Sequence, residues 1–441
     1  MKLKQTLAPF IILCGMLISL TACGSTPGGS SASNGEVSFW AASNPPQLAF
    51  WTQMAKEYTA KHPGVKVNVK QIPESPSSEA GIQAALAGGA GPTASENIFT
   101  GFGGQLQKSQ AIVPLDQMPG WNDVLKARHM DSTIQSWKFS DGHTYILPMY
   151  SNAMLFGWRM DILKQIGFTK APRTYSEVLA VGKALKAKYP NKFIWARDAL
   201  VKDTWYERWF DFFPLYDAAS NGQTIINGGK ITANDQAAIG TLGFLNSLAK
   251  QKSLLTQTAT DPFENGLAVA DIIGPWRFAV WDQKYKNLKL HDNYELTPPP
   301  VPDAMASSVN DTNTKTFADA KGIVIYKQAS ADQQAKIWDF VKWTLSDPNH
   351  DLTWLQQTGL PAARDDLNTN TLFQPYLSQH AQLAQYAKNI PNGVPPMTNP
   401  KYSDIQVALG NNAVIPSVQD KTTPDKAWQD WKSAVQPSLN Q

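Results

Sequence analysis

The residues of this chain that could do chemistry are aromatic rings set among amides, carboxylates and guanidiniums. Fifteen Trp and thirteen Tyr are spread over 441 residues. Large planar faces can cover the CH-rich side of a sugar ring, while Asn, Asp, Glu and Arg can hold neighbouring hydroxyls two at a time. Trp40 and Asn44 follow a first apolar strand, and Glu96-Asn97 interrupts a third. A Glu-Asn pair is costly to bury alone, so it is expected to face a ligand or a satisfied network, with the ligand favoured. A strand over 267–273 runs into Gly274-Pro275-Trp276, so Trp276 and its neighbour Arg277 sit where an open sheet presents its binding loops. Catalytic sets are missing by contrast. The six His show no close ligand spacing, and there is no G-x-S-x-G. Gly101-Phe102-Gly103-Gly104 lacks the Lys-Ser/Thr of a phosphate loop, and no motif pairs two acids as a glycosidase requires. The expectation is a binding protein, not an enzyme, with no cofactor and no metal.

Such residues need a scaffold and a place to work. Lys2 and Lys4 precede an apolar run over 7–20, an export signal in form. That run is shorter than the roughly 20 residues that span a bilayer. It ends in Leu20-Thr21-Ala22-Cys23-Gly24, which resembles a bacterial lipobox. The resemblance implies a signal peptide over 1–22, cleavage before Cys23, a lipid on its thiol, and a lipid-anchored protein on the outer face of the cytoplasmic membrane. Residues 25–34 are a Gly/Ser/Pro tether, so 23–35 reads as lipidated Cys and leash. Cys14 leaves with the signal and Cys23 is the lipid site, so the mature domain has no disulfide to hold it and relies on its core. Without Lys2 and Lys4 there are 37 basic against 36 acidic residues, a balance of +1. No basic field is available for nucleic acid.

Strands over 36–40, 65–69 and 95–99 alternate with helices over 45–61, 78–87 and 103–109, an α/β layer with a mainly parallel sheet. Asp141-Gly142-His143 reads as a turn between extended pieces at 136–139 and 144–147. An extended run over 150–158, helices over 161–166, 175–188 and 234–248, a strand over 322–326 and a helix over 331–345 follow. The segment 195–217 is dense in aromatics, and the tail from 371 is mostly helical with Pro interruptions.

In order and spacing these pieces resemble the extracellular solute-binding proteins of ABC sugar importers, of the maltose-binding-protein type. The segments that carry it include His62-Pro63-Gly64-Val65-Lys66-Val67, Asp141-Gly142-His143-Thr144-Tyr145, Trp158-Arg159-Met160-Asp161-Ile162-Leu163 with Pro172-Arg173-Thr174-Tyr175, and Phe263-Glu264-Asn265-Gly266 with Gly274-Pro275-Trp276. The resemblance implies a two-lobed α/β fold of the periplasmic-binding-protein type II, with three hinge crossings and a ligand cleft between the lobes. The first lobe would be 36–147 plus 320–358 and the second 153–317 plus 363–441. The crossings would fall near 149–152, 317–321 and 360–362. It places Trp276 in the cleft, with Tyr150 and Asn152 on the first crossing and Asp319 and Lys321 on the second. Asn152 stands where the family often has a ligand-binding acid. Arg208 and Trp209 from the aromatic segment and Tyr402 from the tail complete the implied site.

The implied function is capture of a di- or oligosaccharide by a monomer and its delivery to membrane permease subunits driven by a cytoplasmic ATPase. The alternatives are a non-sugar solute, such as a polyamine or glycerol phosphate, and an exported carbohydrate-active enzyme.

Overall fold

The computed structural model describes residues 35–439 apart from Pro76. The export signal, Cys23 and the tether lie outside the described residues. Thirteen strands are described: β1 (Glu36–Ala41), β2 (Lys66–Gln71), β3 (Ala94–Ile98), β4 (Leu147–Ala153), β5 (Leu155–Trp158), β6 (Phe193–Ala196), β7 (Ile226–Asn227), β8 (Lys230–Ile231), β9 (Leu254–Leu255), β10 (Ala268–Ile273), β11 (Glu295–Thr297), β12 (Thr316–Ile325) and β13 (Gly393–Val394). They form two main sheets. One has the order β13-β12-β3-β1-β2 with β4 beside β12, and the other has the order β11-β5-β10-β6-β9.

In the first sheet β1 pairs in parallel with β2 and β3, because a helix crosses over between successive strands. The helix Pro45–Lys61 shows how. Pro45 and Pro46 open it, where a missing N–H costs nothing. Phe50, Trp51, Met54, Ala55 and Tyr58 then recur at helical spacing and are buried. Trp51 packs on Phe39 of β1 with ring centroids 4.2 Å apart, and Phe340 meets both. In the second sheet β6 runs parallel to β9 and β10, whereas β5 runs antiparallel to β10 and β11. Phe156, Trp158 and Trp195 pack among themselves on it. The helix Tyr175–Lys188 flanking this sheet starts from a Thr174/Glu177 capping box.

Two expectations are corrected. The turn at Asp141-Gly142-His143 forms, with the Phe139 N–H donating to the His143 carbonyl, but neither flank is a strand. Residues Thr133–Trp137 are a 3-10 turn, and β4 begins only at Leu147. The strand expected over 322–326 is twice as long and starts at Thr316.

That length lets β12 join the two halves. Its first residues pair with β13, its middle with β4 and its end with β3. A third segment lies on β4: the Ser151 N–H donates to the Pro361 carbonyl and the Ala363 N–H to the Met149 carbonyl, each at 3.1 Å. The three expected crossings therefore run side by side. The register of β4 on β12 slips by one residue between Lys321 and Gly322, which makes Met149 a bulge. Gly322 is required there, since a Cβ on it would collide with the Leu147 carbonyl. Beneath the bulge Arg128, fully buried, donates to the carbonyls of Pro148 (2.6 Å) and Met149 (3.1 Å) and to Asp351. Arg364, just past the third crossing, donates to the same Asp351 at 3.0 Å.

Candidate ligand cleft

The junction strands carry the residues expected on the floor. Directly opposite residues of an antiparallel pair share a face, and so do alternate residues of one strand. Tyr150 is opposite Lys321 and Asn152 opposite Asp319, so these four and Phe317 occupy one face. Tyr150 is buried and stacks on Trp354, with centroids 6.0 Å apart. Burial, with the charges of Asp319 and Glu96 behind it, pushes its phenol well above the ordinary range. Asn152 is 1% exposed, and neither its amide oxygen nor its amide nitrogen meets a protein partner. Asp319 and Lys321 are half-buried.

The first sheet supplies one wall. Trp40, at the end of β1, is half-buried, and Asn44 is exposed in the turn that follows. Asn97 takes a left-handed backbone at φ 67° and donates to the Ser78 hydroxyl at 3.5 Å. Glu96 corrects the expectation that it faces ligand, for its side chain has no exposure. It accepts the Ala42 N–H at 2.9 Å and the Gln47 amide at 3.4 Å. Burial raises its carboxyl to about 7, against the lowering by these donors and by Lys321.

The second sheet supplies the other wall, at the carboxyl ends of β6 and β10. There a cavity of about 520 Å³ is lined by Arg197, Phe210, Asp271, Trp276, Arg277 and Trp281, among others. Trp276 is 47% exposed, unusual for so large an apolar ring, and lies over Gly274. Arg277 is clamped between Glu264 at 2.5 Å and Asp271 at 2.6 Å. Burial opposes its charge, but Asp271 and Glu264 outweigh that and hold the guanidinium above its ordinary range. Asp271 also accepts the Trp195 indole N–H, and Glu264 that of Trp281. Arg277 thus props the loop that presents Trp276.

Aromatic rings connect wall and floor. Trp276 meets the edge of Phe210, and Phe210 meets Phe317 of β12, with centroids 6.1 and 6.3 Å apart. Trp209 stacks on Phe317 at 5.7 Å and touches Phe99, which follows β3.

Three other expected cleft residues are buried to a degree similar to Tyr150 and Asn152. Trp209 is 7% exposed in this stack. Tyr402 is 5% exposed between Phe99 and Trp205. Arg208 has no exposure; its Nη2 donates to Asp211 at 2.7 Å and the Ala199 carbonyl at 2.6 Å, while its Nε and Nη1 have no protein partner. Sequence reasoning passed over Phe210, Arg197 and Asp271. Arg197 was findable, since it directly follows a short apolar strand, whereas Phe210 cannot be told by type from the buried Phe212 and Phe213.

A larger open basin of about 800 Å³, lined by Lys164, Arg173, His291, Asn368 and Lys388 among others, contains none of the expected residues. Among the described residues no acid, His or Cys cluster could hold a metal, and no helix is long and apolar enough to cross a membrane.

A family model described as bacterial extracellular solute-binding protein matches residues 53–385. An uncharacterized protein from Listeria monocytogenes has 47% sequence identity and a TM-score of 0.89, over 92% of this chain and all of that one. The cyclic alpha-maltosyl-1,6-maltose binding protein of Arthrobacter globiformis has 16% identity and a TM-score of 0.76, over 92% of this chain and 98% of that one. A cyclo/maltodextrin-binding protein complexed with maltotetraose has 18% identity and a TM-score of 0.71, over 93% and 98%. The fold is the two-lobed α/β fold of maltose-binding-type proteins, with three crossings between its halves. By the family match and by its likeness to the Listeria protein, the chain belongs to the bacterial extracellular solute-binding proteins.

Proposed function

We propose that the protein captures a di- or oligosaccharide between its two sheets and delivers it to the permease subunits of an ABC importer. The observation that carries this reading is Trp276, a half-exposed indole beside a cavity edged by Phe210, Arg197 and Asp271. An exposed ring next to polar groups is what a sugar's apolar face and hydroxyls require. Of the proteins of similar fold, one is a cyclic alpha-maltosyl-1,6-maltose binding protein and another is complexed with maltotetraose, which supports an oligosaccharide, whereas a third is bound with the monosaccharide alpha-D-tagatose.

The lobes we assign are 36–147 plus 320–358 and 153–317 plus 363–441. A ligand that touches Trp276 on one lobe and the turn at Asn44 on the other favours closure by its differential affinity. The closed monomer is then what the permease recognises, and ATP is hydrolysed by the importer's own subunit. The protein itself performs no catalysis. Cys23 carries the lipid, and the tether keeps the domain near the membrane.

Asp261, Glu264 and Asp271 beside aromatic rings also invite a polyamine, but Lys284 and Arg277 already occupy them. The deciding experiment is a thermal-shift panel, since a ligand of the native state raises the melting temperature by mass action. Malto-oligosaccharides, or another di- or oligosaccharide, should give the largest rise. A rise with polyamines or glycerol phosphate alone would sink the sugar reading, and release of reducing ends from a glycan would sink the non-catalytic one.

A further inference from the structure

Glu96 is a buried acid that sugar recognition does not use directly, yet it interacts with the turn after β1 and with the junction strands. It is the middle residue of β3, which pairs with β12 of the junction. Its two oxygens accept the Ala42 N–H at 2.9 Å, in the turn after β1, and the Gln47 amide at 3.4 Å, in the first turn of the helix Pro45–Lys61, whose Trp51 indole adds to the donors around it. The turn after β1 carries Asn44 and follows directly on Trp40. Of the strands packed against Glu96, β12 brings one cation, Lys321, and β4 brings one phenol, Tyr150. Lys321 and Tyr150 are opposite each other on the floor of the cleft.

We propose that Glu96 is a positioning residue: ionised, it fastens the turn bearing Asn44 to β3 and to the junction strand, and protonation loosens that turn and weakens ligand binding. The chemistry is in the donor set. The groups that meet Glu96 are N–H donors, and a carboxylate accepts from them with the strength of a charge-assisted bond, which a neutral carboxyl lacks. A protonated carboxyl would aim its own hydrogen at one of them. Burial works the other way and raises the carboxyl to about 7, so the two forms exchange near neutral pH. If only the ionised form is competent, apparent affinity falls with the competent fraction, about tenfold between pH 8 and pH 6. The inference rests on the cleft reading for its ligand arm alone.

The test begins without ligand. In protein labelled with 15N-alanine, the Ala42 amide resonance should shift with a midpoint near pH 7 in the wild type. It should stay flat in Glu96→Gln, and Lys321→Met should move the midpoint upward. Gln47→Leu serves as a second variant should Glu96→Gln misfold, and it too should raise the midpoint by removing a donor. Maltotetraose titrated at pH 6 and pH 8 should then bind about tenfold more tightly at pH 8 to the wild type and equally at both to Glu96→Gln. A flat Ala42 signal in the wild type, or a titrating Ala42 with pH-independent affinity, overturns the proposal. A protein that shows the Ala42 transition but binds no maltotetraose at either pH keeps the clamp and loses the malto-oligosaccharide reading.

Discussion

Asn152 stands directly opposite Asp319 across the antiparallel pair of β4 and β12, and its amide is buried without a protein partner. Leaving such a group unpaired costs on the order of 1–3 kcal/mol, which a protein tolerates where something else is to be bound. Asn152→Leu, of similar volume, should therefore leave stability in urea unchanged or raise it by about 1 kcal/mol. The same variant should weaken ligand binding by about 2 kcal/mol in calorimetry. A large loss of stability with unchanged affinity would make Asn152 a structural residue.

Trp276 is separable from the core in the same way. Its ring is 47% exposed, so Trp276→Ala should shift the unfolding midpoint little. Its affinity for the sugar should fall by about 2 kcal/mol or more, roughly thirtyfold, as for an aromatic anchor of an interface. Gly274→Ala is the sharper test. A methyl there would collide with the Trp276 ring and displace it without touching the polar groups. Affinity should drop while the Arg277 clamp persists; wild-type affinity in both variants would remove Trp276 from the cleft.

These positions differ in how plainly the sequence announced them. Trp276 was legible because Gly-Pro-Trp ends an apolar strand, and strand ends face the cleft in an open α/β sheet. The floor was legible only in part. Residues 322–326 read as a strand from their own apolar run, but Thr316 to Ala320 are held extended by β4 and β13, partners remote in sequence. Arg208 and Trp209 were hard to place for a related reason. Trp205–Phe210 is a 3-10 segment, so its exposed and buried sides do not follow the helical or strand period that patterning relies on. Glu96 hid its role because its donors lie 54 and 49 positions earlier in the chain.

The junction depends on one buried carboxylate. Asp351 is 1% exposed and accepts from both Arg128 and Arg364, which in turn hold the first and third crossings. Removing it leaves two guanidiniums buried without their shared partner, a loss of roughly 3–5 kcal/mol. Asp351→Ala should thus lower the unfolding free energy measured in urea by that amount and blunt any ligand-induced closure seen by small-angle scattering. The double change Arg128→Met with Asp351→Leu should recover much of the stability, since a matched apolar replacement of a buried pair is often neutral. Failure of the double variant to improve on the single would show that Arg128 matters through the Pro148 and Met149 carbonyls instead.

Asp217 makes a prediction of opposite sign. It is 3% exposed beside Trp209, Phe213, Phe317 and Val394, and its Oδ2 has no hydrogen-bond partner in the protein. Burial alone pushes its carboxyl well above the ordinary range, which favours the protonated form in the native state. In the unfolded chain it titrates near 4. Above that value the unfolded state gives up the proton while the native state keeps it, so its contribution to stability is complete below pH 4 and is lost as pH rises toward the native value. Asp217→Asn keeps a neutral polar group of the same size and removes the titration. The stability of the variant minus that of the wild type should therefore grow from pH 4 upward. A pH-independent difference would mean that the native carboxyl is ionised, and that a cation or an opening of the apolar wall at Phe317 reaches it.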